Sequence, residues 1–383
     1  MHYVRMPIEI ESPEQLGYDR VRYNLTESSL TDVRLQDLWP QLGLDQALRE
    51  LVLCYSDHRG NPDLRALIAE QSSTPLQPGA ASLGADDVLV TPGAALALFI
   101  IATTLLERGD HLIVVRPNYA TNIETPRAIG CAIDYVDLAF EDGFRLDPAR
   151  IERLIRAETK LISVTTPHNP TGTALSRHTL NRLIALAEQK DIRLLVDETY
   201  RDMSFVPQLP VAASLSDQAI SVASMSKSYG IPGIRVGWLI TQDAKLFERF
   251  LAAKEQIGIC GSIIDEHIAE AALAQSVPWI STVERNLKSA VGTVEQWLTR
   301  ETRMEWVRPQ GGCVCFPRIK ADANIDVEKF YRTLTQEHAT AVGPGHWFEQ
   351  DKRFMRIGFG WPLAEELEGG LKAISKSLDA SRR

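Results

Sequence analysis

Features that mark specialised protein classes are scarce in this sequence. Its 383 residues carry 41 basic and 50 acidic side chains, a formal net charge of −9, and include no block of basic residues. Nucleic acid is therefore not expected as a partner. The longest apolar stretch, residues 94–106, contains threonines and is too short to span a bilayer, so no membrane partner is expected. A small anion is still allowed as a ligand, because a few local donors can oppose the global charge.

Cysteine is also scarce and irregularly spaced. The five cysteines are Cys54, Cys131, Cys260, Cys313 and Cys315. An odd number favours a reducing compartment over a disulfide framework. The first residues lack a basic region followed by an apolar one, so we expect no signal peptide and predict a cytoplasmic location. No histidine or cysteine group completes a metal site around Cys313 and Cys315, so none is predicted.

Short apolar runs alternate with helix-like segments over residues 87–240. The predicted strands are 87–90, 111–115, 132–136, 161–165, 193–197, 220–224 and 235–240. This alternation predicts an α/β fold, with a mainly parallel seven-stranded sheet flanked by helices in a large domain. Ligands of such sheets bind in the loops that follow the carboxyl ends of the strands.

The pattern changes after about residue 275. Segments of helix and strand character follow at 279–299, 304–307, 312–316, 327–337 and 354–359, with a final helix from residue 364. They indicate a smaller α+β unit, on which the first 45 residues are expected to pack. We therefore predict a large domain at 46–275 and a small discontinuous domain made of 1–45 and 276–383.

Two strand-end motifs carry ionisable side chains. Residues 224–237 read SMSKSYGIPGIRVG, and an amine such as that of Lys227 forms Schiff bases with carbonyl groups when its charge is suppressed. Residues 194–200 read LLVDETY, and the carboxylate of Asp197 could keep a pyridine ring nitrogen protonated. Taken singly, a solvated loop lysine and a helix N-cap aspartate explain these residues at least as well.

Two further strand-end motifs are rich in small and turn-forming residues. In TTPHNPTG, residues 165–172, Asn169 could donate to a phenolic oxygen. In VTPGAA, residues 90–95, a helix start at Gly93 would offer the backbone N–H groups of Ala94 and Ala95 to a phosphate. Turn chemistry and close helix packing are the plainer explanations for each motif by itself. Each of the four strand-end loops supplies one part of the same binding site. Together they indicate a function more specifically than any one motif does.

The sequence resembles the class I/II aminotransferases, the pyridoxal-phosphate-dependent enzymes of fold type I, over about residues 55–359. The NPTG, DETY and SMSKSYGIPGIR segments carry the resemblance. It implies that Lys227 holds pyridoxal phosphate as an internal aldimine and later moves a proton between the substrate Cα and the cofactor. It also implies that Asp197 pairs with the ring nitrogen, and that Tyr200 and Asn169 donate to the phenolic oxygen of the ring.

The resemblance assigns the remaining cofactor contacts. The phosphate would be held by the start of the helix at Gly93, by Ser224 and by the guanidinium of Arg235. Tyr119 would stack on the ring. Tyr55 would reach the phosphate of a second subunit, which implies a homodimer with active sites at its interface.

The substrate contacts are less uniform within the family. Arg356 in FMRIG matches the arginine that binds the substrate α-carboxylate. Relatives carry a glycine-containing loop where this chain reads LTESSLTD, and Ser29 is the candidate contact there. His58 and Arg59 either project across the dimer interface or form surface ion pairs, and His346 is a candidate for the entrance. No second arginine marks a dicarboxylate-specific enzyme, which argues against an aspartate aminotransferase.

Other classes fit the motifs less well. Ser224 and Lys227 match the serine–lysine spacing of penicillin-binding proteins, but neither SDN nor KTG occurs. The glycines at 343 and 345 lack the third glycine of a dinucleotide-binding loop. A transcriptional regulator that uses this fold to sense amines would carry a DNA-binding segment, and we identify none in these 383 residues. We predict amino transfer from an L-amino acid to a 2-oxo acid, with a pyridoxal-phosphate-dependent lyase, cyclase or oxygen-dependent arginine-type oxidase as the open alternative.

Overall fold

The computed structural model describes residues 1–73 and 77–383. Its strands are β1 (Tyr23–Leu25), β2 (Val88–Thr91), β3 (His111–Arg116), β4 (Ala132–Asp137), β5 (Thr159–Thr165), β6 (Arg193–Asp197), β7 (Ala219–Ser224), β8 (Gly237–Ile240), β9 (Met304–Glu305), β10 (Val314–Cys315), β11 (Arg318–Ile319), β12 (Thr340–Pro344) and β13 (Met355–Gly358). Its α-helices are α1 (Pro7–Glu11), α2 (Pro13–Leu16), α3 (Leu35–Leu42), α4 (Asp45–Arg49), α5 (Pro62–Ser73), α6 (Gly93–Leu105), α7 (Thr121–Ile129), α8 (Pro148–Leu154), α9 (Arg177–Lys190), α10 (Ala244–Gly258), α11 (Ile263–Ala274), α12 (Ser276–Arg300), α13 (Val327–Gln336) and α14 (Ala364–Ala380).

A seven-stranded sheet has the order β2-β8-β7-β6-β5-β3-β4. Strands β3 to β7 pair in parallel, whereas β8 runs antiparallel to both β7 and β2. Strand β2 therefore runs in the same direction as β7, and the carboxyl ends of β2, β5, β6 and β7 share one edge. The predicted fold class is confirmed, and the predicted strands differ from β2–β8 by no more than two residues at either end.

Both faces of this sheet are covered by helices. Alternate residues of each strand point to opposite faces and pack against different helices. In β3, Leu112 packs with Ile101 of α6 and Phe250 of α10, whereas the next residue, Ile113, packs with Leu183 of α9. All five side chains are fully buried. Each such burial contributes about 1.5–3 kcal/mol, which explains why continuous apolar runs form this sheet.

A four-stranded sheet has the order β1-β12-β13-β10. Strand β1, from the N-terminal segment, pairs in parallel with β12, and Tyr23 lies opposite Thr340. The sequence analysis did not identify β1, β11 or β12. A strand of three residues is too short to produce an alternating pattern, and its partner lies at the other end of the chain. This pairing supports the predicted small discontinuous domain, whose boundaries stay a prediction.

The long helix α12 starts earlier than expected. We predicted a helix from residue 279, but α12 begins at Ser276, directly after α11. Pro278 explains the difference, since a proline is tolerated in the first turn of a helix although it reads as a boundary in the sequence. The apolar stretch 94–106 forms the buried helix α6. Among the described residues, no helix is long and apolar enough to cross a membrane.

Candidate active site

A cavity of about 180 Å³ opens at the carboxyl edge of the seven-stranded sheet. We call it the strand-end cavity. Its lining comes from loops after β5, β6 and β7, from the start of α6, and from the N-terminal segment: Ser28, Ala94, Ala95, Leu98, Tyr119, Thr165, Asn169, Asp197, Thr199, Tyr200, Ser224, Ser226, Lys227, Pro232 and Arg235. The cavity thus unites most of the predicted cofactor contacts at the edge where α/β sheets bind ligands.

Asp197 ends β6 as a buried carboxylate. Its Oδ1 accepts hydrogen bonds from the backbone N–H of Thr199 at 3.1 Å and from the hydroxyl of the same residue at 2.5 Å. Burial raises the pKa of Asp197, while these hydrogen bonds, Asn122 and the charge of Lys227 oppose the rise. A carboxylate fixed in a dry site favours a cationic partner, such as a protonated ring nitrogen.

Lys227 lies in the loop after β7, and its Nζ donates to the Ser28 hydroxyl at 3.2 Å. Burial lowers the pKa of Lys227, and the positive charge of Arg356 adds to this effect. Cys313, Glu27 and Glu14 act in the opposite direction. The amine is therefore neutral more readily than a solvated lysine, which suits both attack on a carbonyl group and acceptance of a proton.

An anion cradle forms where α6 begins. The first N–H groups of a helix have no partner within that helix. Gly93 has φ +77°, and a Cβ there would lie 2.3 Å from Nη2 of Arg235. A Cβ on Gly237, in the neighbouring strand β8, would lie 2.5 Å from the backbone nitrogen of Ala94. The two glycines thus allow β8, the start of α6 and the Arg235 guanidinium to approach one another closely. The start of α6, Arg235 and Ser224 together form a site suited to a phosphate.

Arg356 occupies β13 and is 4% exposed. Its Nη1 donates to Oδ1 of Asn169 at 3.0 Å, and its Nη2 donates to the carbonyl of Thr26 at 2.6 Å. Within the described part of the chain, its buried Nε has no hydrogen-bond partner. An unsatisfied buried donor is costly, and a carboxylate accepting two parallel hydrogen bonds from a guanidinium would satisfy it.

Tyr200 and Asn169 both line the cavity but contact other protein groups here. The Tyr200 hydroxyl donates to the carbonyl of Ser28 at 2.9 Å, and Asn169 accepts from Arg356. Burial raises the pKa of Tyr200, so its hydroxyl stays protonated and able to donate. These contacts join the end of the N-terminal segment to the loops of the seven-stranded sheet.

Several predicted residues lie outside the strand-end cavity. Tyr55 is 79% exposed. His58 Nδ1 lies 2.7 Å from Glu255 Oε1 on α10, and its contact across a dimer interface stays a prediction. His346 Nε2 lies 2.7 Å from Glu11 Oε2.

The N-terminal segment contributes a residue that the sequence analysis missed. Ser29 is buried outside the cavity lining, whereas Ser28 lines the cavity and contacts Lys227. Two adjacent serines after a very short strand carry no sequence signal that separates them. The predicted contact of Ser29 with a substrate stays a prediction.

The donor set fits pyridoxal phosphate. The Lys227 amine suits the aldehyde, the buried Asp197 suits the ring nitrogen, and the cradle of α6 and Arg235 suits the phosphate. Residues 34–374 match the family described as aminotransferase class I and II. The chain belongs to this family. It is a pyridoxal-phosphate-dependent aminotransferase of fold type I, which confirms the predicted family, fold class and cofactor.

Relatives of known name support the assignment. Capreomycidine synthase of Streptomyces vinaceus is 29% identical over 352 residues, covering 91% of this chain and 87% of the relative. Arginine–pyruvate transaminase of Pseudomonas aeruginosa is 29% identical over 303 residues, covering 77% and 74%. A pyridoxal-phosphate-dependent aminotransferase from Streptococcus suis has a structure with a TM-score of 0.90 and 27% identity, covering all of both chains.

Proposed function

We propose that this aminotransferase moves the amino group of an L-amino acid to a 2-oxo acid, and that Lys227 both binds the cofactor covalently and carries the proton. The observation that supports this proposal is the convergence of Lys227, Asp197 and the α6–Arg235 cradle on one cavity of about 180 Å³. Each of these groups matches a different part of the cofactor, and they come from separate loops.

The residues divide the work between them. Pyridoxal phosphate, when bound, supplies an electron sink for the bonds at the substrate Cα. Asp197 maintains the positive charge on the ring nitrogen. With the cofactor bound, the neutral Lys227 amine would accept the proton from the substrate Cα and would hold it for return, acting as base and then as acid. Tyr200 would donate to the ring oxygen in place of the Ser28 carbonyl, and Asn169 would donate from its amide nitrogen while its Oδ1 still accepts from Arg356.

Arg356 binds the substrate α-carboxylate in this proposal. Its buried guanidinium carries an unpartnered Nε, and it contacts Asn169, which itself lines the cavity. A planar fork of donors holds a carboxylate in one orientation. Orientation matters because it decides which bond at the Cα is broken.

A homodimer forms part of the proposal. Val52, Leu53 and Tyr55 are 72%, 74% and 79% exposed, which is unusual for three large apolar side chains within four residues. The segment lies beside the end of α10, because the Lys254 ammonium donates to the carbonyl of His58. Ile257 at this end of α10 is also 45% exposed. A second copy would cover this face and receive Tyr55 in its cavity.

Borohydride reduction tests the covalent role of Lys227. The reagent fixes the cofactor on the amine that holds it, and peptide mass spectrometry then locates the label. We expect the label on Lys227, and no label on this peptide after Lys227→Ala. A reconstituted wild-type protein labelled at another lysine would contradict the assignment.

Anaerobic turnover separates transfer from the other reactions of the scaffold. Transamination converts the cofactor to its amine form and releases one equivalent of 2-oxo acid without free ammonia. Ammonia release, or dependence on oxygen, would instead support a lyase or an oxidase.

Subunit mixing tests the dimer. Lys227→Ala and Tyr55→Ala chains are each expected to lose activity. If Tyr55 serves the partner, mixed dimers regain some activity, because one of their two sites carries neither substitution. A monomer in solution, or mixtures that stay as inactive as the separate variants, would contradict the shared site.

A further inference from the structure

The N-terminal segment places an acidic residue between the two proposed substrate anchors. The carbonyl of Thr26 accepts from Arg356, and the hydroxyl of Ser28 accepts from Lys227. Glu27 is the residue between them. In the proposed function, which this inference rests on, Arg356 binds the α-carboxylate and Lys227 acts at the Cα. A substrate held by both anchors therefore lies beside the segment that carries Glu27.

The carboxylate of Glu27 has neutral partners. Its Oε1 accepts from the Tyr18 hydroxyl at 3.1 Å and from Nδ2 of Asn24 at 3.3 Å. The ion pairs formed within residues 1–73 and 77–383 include none made by Glu27 or Glu14. This part of the site carries negative charge with no bound cation from the described chain.

The negative charge extends to both anchors. Burial lowers the pKa of Lys227 and of Arg356, and the charges of Glu27 and Glu14 oppose this lowering in both groups. The pKa of Glu14 is itself raised, first by burial and then by the charge of Glu27. Two carboxylates that repel each other favour a cation close to both.

An aromatic pair borders the same carboxylates. The rings of Tyr18 and Trp361 are stacked, with centroids 6.2 Å apart and an interplanar angle of 14°. Trp361 Nε1 donates to Oδ2 of Asp32 at 3.1 Å. Trp361 also follows β13, the strand that carries Arg356. Aromatic faces stabilise guanidinium and ammonium groups, so rings and carboxylates here favour the same kind of ligand.

Arg356, the proposed α-carboxylate anchor, fixes one end of the ligand. The Nε of Arg356 is a buried donor for which the described chain provides no acceptor. A carboxylate bound at this nitrogen and a positive charge bound at Glu27 together describe an amino acid with an α-carboxylate and a cationic side chain.

We propose that the amino-acid substrate carries a cationic side chain, a guanidinium or an ammonium group, bound by Glu27 with the support of Glu14. An acidic side chain at the same place would meet like charges and would be rejected. A neutral side chain would leave the two carboxylates without a counter-charge.

Matched substrates for the cofactor-loaded enzyme test this proposal. Citrulline has nearly the shape of arginine without its charge, and norleucine plays the same role for lysine. We expect kcat/KM for arginine or lysine to exceed that of its neutral counterpart by about tenfold or more, since a charged hydrogen bond is worth about 1.5–3 kcal/mol. Which of the two cations is preferred identifies the group. Equal use of each charged substrate and its neutral counterpart would overturn the proposal.

Variants locate the preference. Glu27→Gln keeps the shape of the side chain and is expected to reduce the preference for the charged substrate to near unity. Asp37→Asn removes one exposed charge from α3 in the same N-terminal region and is expected to keep the preference. A Glu27→Gln enzyme that still prefers the charged substrate would overturn the role of Glu27. Should Glu27→Gln not fold, as judged by circular dichroism, Glu14→Gln provides the same test with a smaller expected loss.

A binding measurement separates failure of this inference from failure of the proposed function. δ-Guanidinovalerate has the carboxylate and the guanidinium of arginine but no amine, so it cannot undergo transfer. Calorimetry is expected to show tighter binding than for valerate, and a loss of about tenfold in Glu27→Gln. If this holds while no amino acid is transaminated, the proposed function fails and the cation site stands. Transamination of neutral or acidic amino acids with no preference for cations overturns the cation site and leaves the proposed function intact.

Discussion

The seven-stranded and the four-stranded sheets supply the strand-end cavity in different ways. Asp197 and Lys227 follow directly from β6 and β7 of the larger sheet, each within a short sequence motif. The segment after β1 supplies Ser28 to the lining, and Arg356 on β13 of the smaller sheet reaches the cavity through its contact with Asn169. The first set lies on consecutive strands of one sheet, whereas the second unites residues from opposite ends of the chain.

The difference separates cofactor chemistry from substrate choice. The larger sheet provides the groups that fit the cofactor, held by buried strands and close glycine contacts. The smaller sheet and the N-terminal segment provide the groups that we assign to the substrate. Substitutions on the larger sheet should therefore affect kcat or cofactor affinity. Substitutions on the smaller sheet or in the N-terminal segment should affect the binding of the amino acid.

The largest expected effect is at Lys227. Lys227→Arg keeps the positive charge but removes an amine that can be neutral, so we expect kcat to fall by about 10²–10⁴-fold. Steady-state turnover with the best amino acid measures the loss. Lys160→Arg, the same substitution at an exposed position in β5, should be close to wild type. A Lys227→Arg enzyme with normal kcat would contradict the assignment.

Arg356→Lys tests the other side of the cavity. A lysine keeps the charge but cannot form two parallel hydrogen bonds, so we expect KM for the amino acid to rise about a hundredfold. Affinity for the cofactor, measured by fluorescence titration, should hardly change. Arg353→Lys, whose native guanidinium pairs with Asp351, is the matched control. Equal weakening of cofactor and substrate binding would remove the division between the two sheets.

Glu198, directly after Asp197, tests the stability cost of burying acids on the larger sheet. Burial raises the pKa of its carboxyl to about 7, although Arg201 opposes the rise. The folded state thus binds the proton more tightly than the unfolded state, whose pKa is about 4.3. The stabilisation is present below that lower pKa and is lost as the pH rises through about 7.

We therefore expect the wild type to lose about 2 kcal/mol of unfolding free energy between about pH 5 and about pH 8, relative to Glu198→Gln. Urea denaturation at several pH values measures the difference. Glu248→Gln, an exposed position on α10, should follow the wild type. Parallel pH curves for the wild type and Glu198→Gln would contradict the prediction.

The smallest expected effect concerns the anion cradle. A Cβ at Gly237 would press on the backbone of Ala94, so Gly237→Ala should shift the start of α6 and weaken cofactor binding about tenfold. The substrate KM of the fully loaded enzyme should stay near normal. Gly233→Ala is the control, because a Cβ there meets no atom within 4 Å. Equal cofactor affinity in both variants would show that the close approach is not needed.

Sequence patterns predicted the larger sheet well but missed several strands of the smaller sheets. Strands β2–β8 were predicted because most of them are buried on both faces and therefore need continuous apolar runs. The predicted residues from Gly93 to Arg235 lie in or beside one cavity because they sit at strand ends on one edge. Their chemical roles, and those of Arg356 and Tyr55, stay predictions.

The sequence did not separate Ser28 from Ser29, nor did it reveal the acidic surroundings of Lys227. Glu27 is one of many acidic residues in a chain of net charge −9. Its position becomes meaningful through the contacts of Thr26 with Arg356 and of Ser28 with Lys227. Contacts between residues that lie so far apart in the sequence leave no periodic pattern.

Local patterns by themselves determined the α/β fold, because strand burial is recorded in consecutive residues. The strand-end motifs carry the resemblance that implies the family and the cofactor. The tertiary structure decided which serine lines the cavity and which acidic segment lies beside Lys227 and Arg356. It did so because the edge strand β1 and the strand β13 come from opposite ends of the chain, and only folding brings their side chains together.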